Sequence, residues 1–364
     1  MNARPRHGGN VVWAAQIANC SPRDLLDFSA SISPLGPPKS AITAIQANLS
    51  QLARYPHPDY DGLRQSLARH HGLMPDWVIP GNGAAELLTW AGRELAALEA
   101  TYLVTPAFGD YSRSLVAFGA SINPCPLPLA AAETNQVDWL AVISQGLCQE
   151  PSRCGLLLNT PHNPTGLMIP LQTLTSLLAQ FALVVVDEAF MNFVSPKFQE
   201  SLIDQIERWP NLVVLRSLTK FYSLPGLRFG YGISHPDRLR RWQAWRDPWP
   251  VNTLAAAATE AVLSDQDYQK QSWQWLATAR SKLLTQLKTL PGLHPLPGQA
   301  NYLLIRTECP GSQLQYDLLK QHRILIRDCL SFPELGDQYI RIAIRTEAEN
   351  DRLCQALAAV MVSG

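Results

Sequence analysis

The sequence predicts an α/β protein: a large domain around a mostly parallel sheet, joined to a smaller α+β domain. Three observations carry this reading. From about Gly83, strand-length apolar runs alternate with helical patterns, as in a sheet covered on both faces. After Pro291 the pattern changes to a mixed unit of short strands and helices. The 364 residues, 46% of them hydrophobic, are too many for one small core and suit a large and a smaller domain.

The elements follow in order. Residues 1–50 are rich in turn formers, and Pro34-Leu35-Gly36-Pro37-Pro38 closes an entry arm that is expected to join the small domain. Residues 51–250 are expected to form the large domain. Within it, 84–98 reads as an amphipathic helix and 101–104 as a short strand. Another helix precedes the strand 156–158, and 171–180 is helical before the buried strand 182–186. The next strand is 212–215. Residues 251–364 begin with long helices at 253–263 and 268–287, and go on to the small domain. There 302–305, 324–326 and 339–344 read as strands, 312–321 as a helix, and a final helix ends the chain.

Composition excludes several classes of function. Thirty basic residues balance thirty acidic ones, so no global field draws the chain to nucleic acid or anionic lipid. Seven scattered cysteines without a C-x-x-C pair suggest reduced thiols, not a disulfide framework or zinc site. The start MNARPRHGGNVVWAA has no signal-peptide run, and no segment reaches the ~18 apolar residues that span a membrane. A cytoplasmic enzyme is expected. His70-His71 reads as a solvated helix end without metal-ligand partners, so no metal is expected. Trp242, Trp245 and Trp249 read as core or dimer-interface packing. Arg238-Leu239-Arg240-Arg241 reads as an exposed helix face.

The chemistry lies at the strand ends, which in open α/β sheets face the ligand crevice. The apolar run 182–186 ends in Asp187-Glu188, and a carboxylate there suits the cationic ring nitrogen of a pyridoxal cofactor. The rigid turn Thr160-Pro161-His162-Asn163-Pro164-Thr165-Gly166 aims the Asn163 amide at a ring hydroxyl. Strand 212–215 runs into Arg216-Ser217-Leu218-Thr219-Lys220, and a desolvated lysine has the free amine that bonds an aldehyde. Ser217 and Arg228 offer a hydroxyl and a guanidinium to one anion. Gly81-Asn82-Gly83 opens a helix whose N-terminal N–H groups form a phosphate cup. Singly, each has a plainer reading: a helix cap, a turn, a solvated lysine. Their order along one chain is the specific signal.

That order resembles the fold-type I pyridoxal-phosphate enzymes and, among them, the class I/II aminotransferase family. The resemblance covers nearly the whole chain. It runs through His7-Gly8-Gly9-Asn10, Asp27-Phe28-Ser29-Ala30, Arg54-Tyr55-Pro56, the N-P-T-G turn and Asp187-Glu188-Ala189-Phe190. It continues through Ser217-Leu218-Thr219-Lys220-Phe221-Tyr222, Pro225-Gly226-Leu227-Arg228, Arg323-Ile324-Leu325-Ile326-Arg327 and Arg341-Ile342-Ala343-Ile344-Arg345. It implies pyridoxal 5′-phosphate as cofactor, with Lys220 as the Schiff-base lysine and Asp187 paired to the ring nitrogen. Asn163 would bond the ring oxygen and Phe108 stack on the ring. Gly83, Ala84, Ser217 and Arg228 would hold the cofactor phosphate, with Tyr55 reaching across from the second subunit of a homodimer. Arg345 would take the substrate carboxylate, and Arg327 and His7 the substrate phosphate. Ser31 falls where the family branch carries a substrate-binding Asn, and Ser33 also replaces an Asn. Phe190 stands where many relatives have Tyr.

The start, the D-F-S-A turn and the I-L-I-R segment resemble a branch that acts as a carboxy-lyase on threonine O-phosphate in cobalamin biosynthesis. The partner implied is a small phosphorylated amino acid. The alternatives are an aminotransferase acting on histidinol phosphate or another phosphorylated amine, and a non-catalytic pyridoxal-binding regulator. Regulators of that kind carry an added DNA-binding region, for which no basic helix is read here.

Overall fold

The computed structural model describes residues 4–5, 7–147 and 150–362. A two-residue strand, β1 (Leu26–Asp27), lies in the N-terminal arm. The large sheet then begins with β2 (Val78–Asn82), β3 (Thr101–Thr105), β4 (Ile122–Pro126) and β5 (Gly155–Asn159). It is completed by β6 (Leu183–Asp187), β7 (Leu212–Ser217) and β8 (Phe229–Ser234). The seven strands lie in the order β2-β8-β7-β6-β5-β3-β4. All pairs are parallel except the two made by β8.

The apolar run of β6 explains its central place. Val184 and Val186 enter the core on one face, and Leu183 and Val185 enter the core on the other. A strand buried on both faces must be apolar throughout. Leu87, Leu88, Ala91 and Leu95 of the helix Ala84–Leu95 cover one of these faces.

Three strands of this sheet that sequence patterning does not find carry residues that break such patterning. β2 and β4 are the sheet edges and carry Pro80, Pro124 and Pro126, which break strand patterning. Proline, lacking an N–H, is tolerated only where no neighbour needs that donor. β8 carries Gly230 and Gly232. A Cβ on Gly230 would lie 2.3 Å from the Ala84 nitrogen, so this glycine permits a close backbone approach.

The smaller unit holds β9 (Leu293–Pro295), β10 (Tyr302–Thr307), β11 (Ile324–Leu325) and β12 (Tyr339–Ala343). β10 lies between β9 and β12, antiparallel to both. β1 pairs in parallel with β11, and Ala343 donates to the Phe28 carbonyl at 2.8 Å, so the arm is stitched to this unit by backbone bonds. The helix expected at 253–263 spans Thr253–Leu263, and the next spans Gln266–Lys288. The helix expected over 312–321 is α-helical for Gly311–Asp317 and widens to a π turn over Leu318–His322. No helix among the described residues is long and apolar enough to cross a membrane.

The segment at 238–241 is not a simple exposed face. Leu239 is buried, and Arg238 and Arg241 both bond Glu94, which also accepts from the Trp242 indole. His71 Nε2 lies 2.8 Å from the Tyr231 hydroxyl.

Beneath the crevice lies a buried ion pair. Glu188, wholly buried, meets the Arg216 guanidinium at 2.8 Å and accepts from Ser201 and the Leu202 N–H. Removing one partner of such a pair leaves an uncompensated buried charge, at a cost of about 3–5 kcal/mol. Arg216→Met is expected to lose stability of about that size in urea unfolding. The double variant Glu188→Leu with Arg216→Met should recover most of it. A double variant no more stable than the single one would show that packing, not charge compensation, is at stake.

Candidate active site

Three parallel strands end side by side, and each delivers a polar group to one cavity. Asn159 closes β5 and pairs in register with Asp187 at the end of β6; Asp187 in turn lies opposite Leu215 of β7. Lys220 follows β7 by a short turn. These residues line a cavity of about 280 Å³ together with Phe108, Asn163 and Phe190. From the small unit and the arm come His7, Ser31, Arg327, Ser331 and Arg341.

Asp187 accepts from the Tyr111 hydroxyl on one oxygen and from the Ala189 N–H on the other, both at 2.9 Å. Burial pushes its carboxyl above the usual range; the Lys220 charge and these two hydrogen bonds pull it back. Burial lowers the Lys220 amine, Asp187 opposes this, and the Arg228 and Arg341 charges add to it. The Lys220 Nζ lies 5.1 Å from the centre of the Phe190 ring. A lysine poised in this way is a nucleophile for a carbonyl.

Beside the cavity lies an anion cup. Gly83 precedes the helix Ala84–Leu95 with φ +76°, and no side chain among the described residues caps the N-terminus of that helix. A Cβ on Gly83 would sit 2.6 Å from the Arg228 guanidinium, so the glycine leaves that cation room at the helix N-terminus. Gly230 pairs with Gly81 on one side and Ser217 on the other, and the Ser217 and Thr219 hydroxyls are 2.9 Å apart. N–H groups, hydroxyls and a guanidinium converge as a phosphate requires.

The structure thus brings His7, Ser31, Phe108, Asn163, Asp187, Lys220 and Arg327 around one cavity and groups Gly83, Ala84, Ser217 and Arg228 beside it. Tyr55 stands apart, 80% exposed, with its ring 4.7 Å from that of Trp249.

Arg345, expected at the substrate carboxylate, is not in the cavity. It follows the end of β12 at Ala343, where strand alternation no longer aims side chains. Its guanidinium bonds the Asp27 carbonyl at 3.1 Å and pairs with Glu349 at 2.8 Å, four residues along the last helix. Arg341, still within β12, takes the cavity position. It donates to the Asn163 side-chain oxygen and lies 4.8 Å from the Tyr302 ring centre. Arg341 and Arg327 exchange both backbone hydrogen bonds, which puts their side chains next to each other. Sequence reasoning missed Arg341, Tyr111 and Asn159. The period-2 pattern of 339–343 could have found Arg341, and the i, i+3 spacing from Phe108 could have found Tyr111.

This constellation on this sheet defines a class, and the comparisons agree. A family model described as aminotransferase class I and II matches residues 23–357, and the chain belongs to that family. Within it, the chain is similar to the threonine-phosphate decarboxylase of Salmonella typhimurium, 41% identical over 98% of this chain and 96% of that protein. It is 29% identical to the adenosylcobalamin biosynthesis bifunctional protein CobDQ of Leptospira interrogans, over 98% of this chain and 41% of that longer protein. The solved histidinol-phosphate aminotransferase of Clostridium acetobutylicum superposes with a TM-score of 0.85 at 28% identity, covering 93% of this chain and all of that one.

Proposed function

We propose that the chain holds pyridoxal 5′-phosphate on Lys220. With it, the chain decarboxylates L-threonine O-3-phosphate to (R)-1-aminopropan-2-yl phosphate in cobalamin biosynthesis. The observation that carries the reading is the 41% identity, end to end, to a threonine-phosphate decarboxylase. The residues fit the cofactor: the cup at Gly83 suits its phosphate, and Asp187, Asn163 and Lys220 converge on one cavity.

When bound, the cofactor would supply an electron sink for the bond that breaks at the substrate Cα. Asp187 keeps a proton on the ring nitrogen. Arg341 occupies the Asn163 carbonyl oxygen, which leaves the amide N–H to the ring oxygen. Phe108 covers the ring face; Gly83, Ala84, Ser217 and Arg228 hold the phosphate.

Arg327 and Arg341, both buried, give the substrate two anion grips. Arg327, which lines the cavity with His7, takes the substrate phosphate, and Arg341 takes the anion role expected of Arg345. Two grips would fix rotation about the substrate's Cα–N bond and so select which Cα bond the bound cofactor weakens. Ser31, whose buried hydroxyl has no hydrogen-bond partner among the described residues, faces the same substrate. Lys220 returns a proton to Cα.

The exposed Tyr55, with exposed Leu49 and Leu52 nearby in sequence, supports a homodimer in which Tyr55 completes the partner's phosphate cup. Transamination of histidinol phosphate is the second reading, favoured by the likeness to the Clostridium enzyme.

Given threonine phosphate and no 2-oxo acid, the holoenzyme should release CO2; Lys220→Ala should release none and lack the cofactor's visible band. Turnover that depends on added 2-oxo acid would favour transamination instead. Arg327→Ala should weaken threonine-phosphate binding by about 2–5 kcal/mol and raise the ratio of transamination to decarboxylation, whereas Arg345→Ala leaves that ratio unchanged. An unaltered ratio in Arg327→Ala, with only a small salt-sensitive loss of affinity, would make Arg327 a steering charge. Light scattering should find a dimer, and Tyr55→Phe should loosen the cofactor; a fully active monomer in dilute solution would overturn this assembly.

A further inference from the structure

We infer that Tyr111 is a positioning residue of the cofactor site: its hydroxyl fixes the Asp187 carboxylate in the orientation and charge state in which it meets the ring nitrogen. This rests on the reading of Asp187 given above and deepens it.

The geometry is a two-point clamp. Tyr111 donates to one Asp187 oxygen and the Ala189 N–H to the other, each at 2.9 Å, so the carboxylate cannot rotate without breaking a bond. Each oxygen keeps further lone-pair capacity for the ring N–H. Tyr111 is buried within the helix Gly109–Val116, and its ring meets that of Phe108 edge-on at 5.7 Å. One helical turn therefore carries both the residue that covers the cofactor ring and the residue that sets its acid partner.

The titratable groups facing Asp187 come from three elements: Tyr111 from this helix, Lys220 from the turn after β7, and Tyr302 from β10. Lys220 is the amine committed to the cofactor. Tyr302 donates its hydroxyl to the His162 carbonyl. Tyr111 is the neutral donor on the carboxylate itself. Burial and the Asp187 charge push its phenol well above the usual range, so it donates throughout the working pH range. Burial favours a protonated Asp187, and the Tyr111 bond opposes this. A protonated Asp187 would no longer hold a charged ring nitrogen.

The sign follows. Without the Tyr111 hydroxyl, Asp187 protonates at higher pH, so the acid limb of cofactor retention moves up. The test titrates the holoenzyme from neutral to acid pH, following the cofactor's visible band and the cofactor released, with its dissociation constant measured at neutral pH. Tyr111→Phe should raise the midpoint and weaken the cofactor by about tenfold or more, the usual range for a hydrogen bond to a charged group. Site-specific 3-fluorotyrosine at 111 keeps the ring and donates more strongly, so its midpoint should fall; it decides the question even if Tyr111→Phe does not fold. In an Asp187→Asn background, titrated at saturating cofactor, Tyr111→Phe should move nothing further, because the carboxylate is gone. Unmoved midpoints in both Tyr111 variants, or the same shift in the Asn background, would overturn the role. Wild-type protein that takes up no cofactor would instead overturn the cofactor reading itself.

Discussion

The site depends on one electrostatic constraint: a carboxylate and an amine buried together at the ends of neighbouring strands. Neither charge is cheap alone in that setting, and burial moves each pKa towards neutrality of the group. Each is kept useful by the other's field. The parallel register supplies this arrangement, because β5, β6 and β7 end together and their following turns open on the same side. The wholly apolar interior of β6 is the counterpart: a strand without polar groups of its own can end in Asp187-Glu188 at the core's edge. Those two carboxylates then part company. Glu188 is neutralised by Arg216 in the scaffold, and Asp187 is left facing the cavity.

Backbone crowding is the second constraint, and it acts through what is missing. The phosphate cup needs β2, β8 and β7 so close that Gly230 cannot carry a Cβ, and it needs Gly83 at positive φ under the Arg228 guanidinium. Gly230, together with Gly232, also makes β8 illegible as a strand. Function and poor strand patterning there have one cause.

This sets how far the sequence could be read. Strands buried on both faces, such as β6 and β7, announce themselves as apolar runs, and the polar residues after them that line one cavity were legible with them. The proline-bearing edges β2 and β4 were not, because edge position is a property of the whole sheet. Within the site, Lys220, Asp187 and Asn163 follow from motif order. Arg345 did not hold its expected place because two arginines four residues apart have the same strand parity, and only the end of β12 at Ala343 separates them. Tyr111 was missed because its partner lies 76 residues away, a pairing that only the packed helix creates.

The family contains both aminotransferases and decarboxylases on one scaffold, and the division of labour in this site shows how that can be. On the proposed function, the cup, Asp187, Asn163 and Lys220 serve the cofactor and are indifferent to which Cα bond breaks. Arg327 and Arg341 lie on the other wall, locked side by side by their backbone pairing across β12. The Arg341 charge opposes that of Arg327, and the Asp328 charge partly offsets it. On the proposed function, a substrate with two anionic groups would meet both guanidinium groups and be oriented in doing so. Reaction choice can therefore reside in the wall that never touches the cofactor's phosphate, through the rotation it imposes on the substrate. That wall belongs to the small unit and the N-terminal arm, whose joint sheet is held by backbone bonds of β1 to β11. On the proposed function the arm, whose His7 and Ser31 line the same cavity, would share in deciding the product.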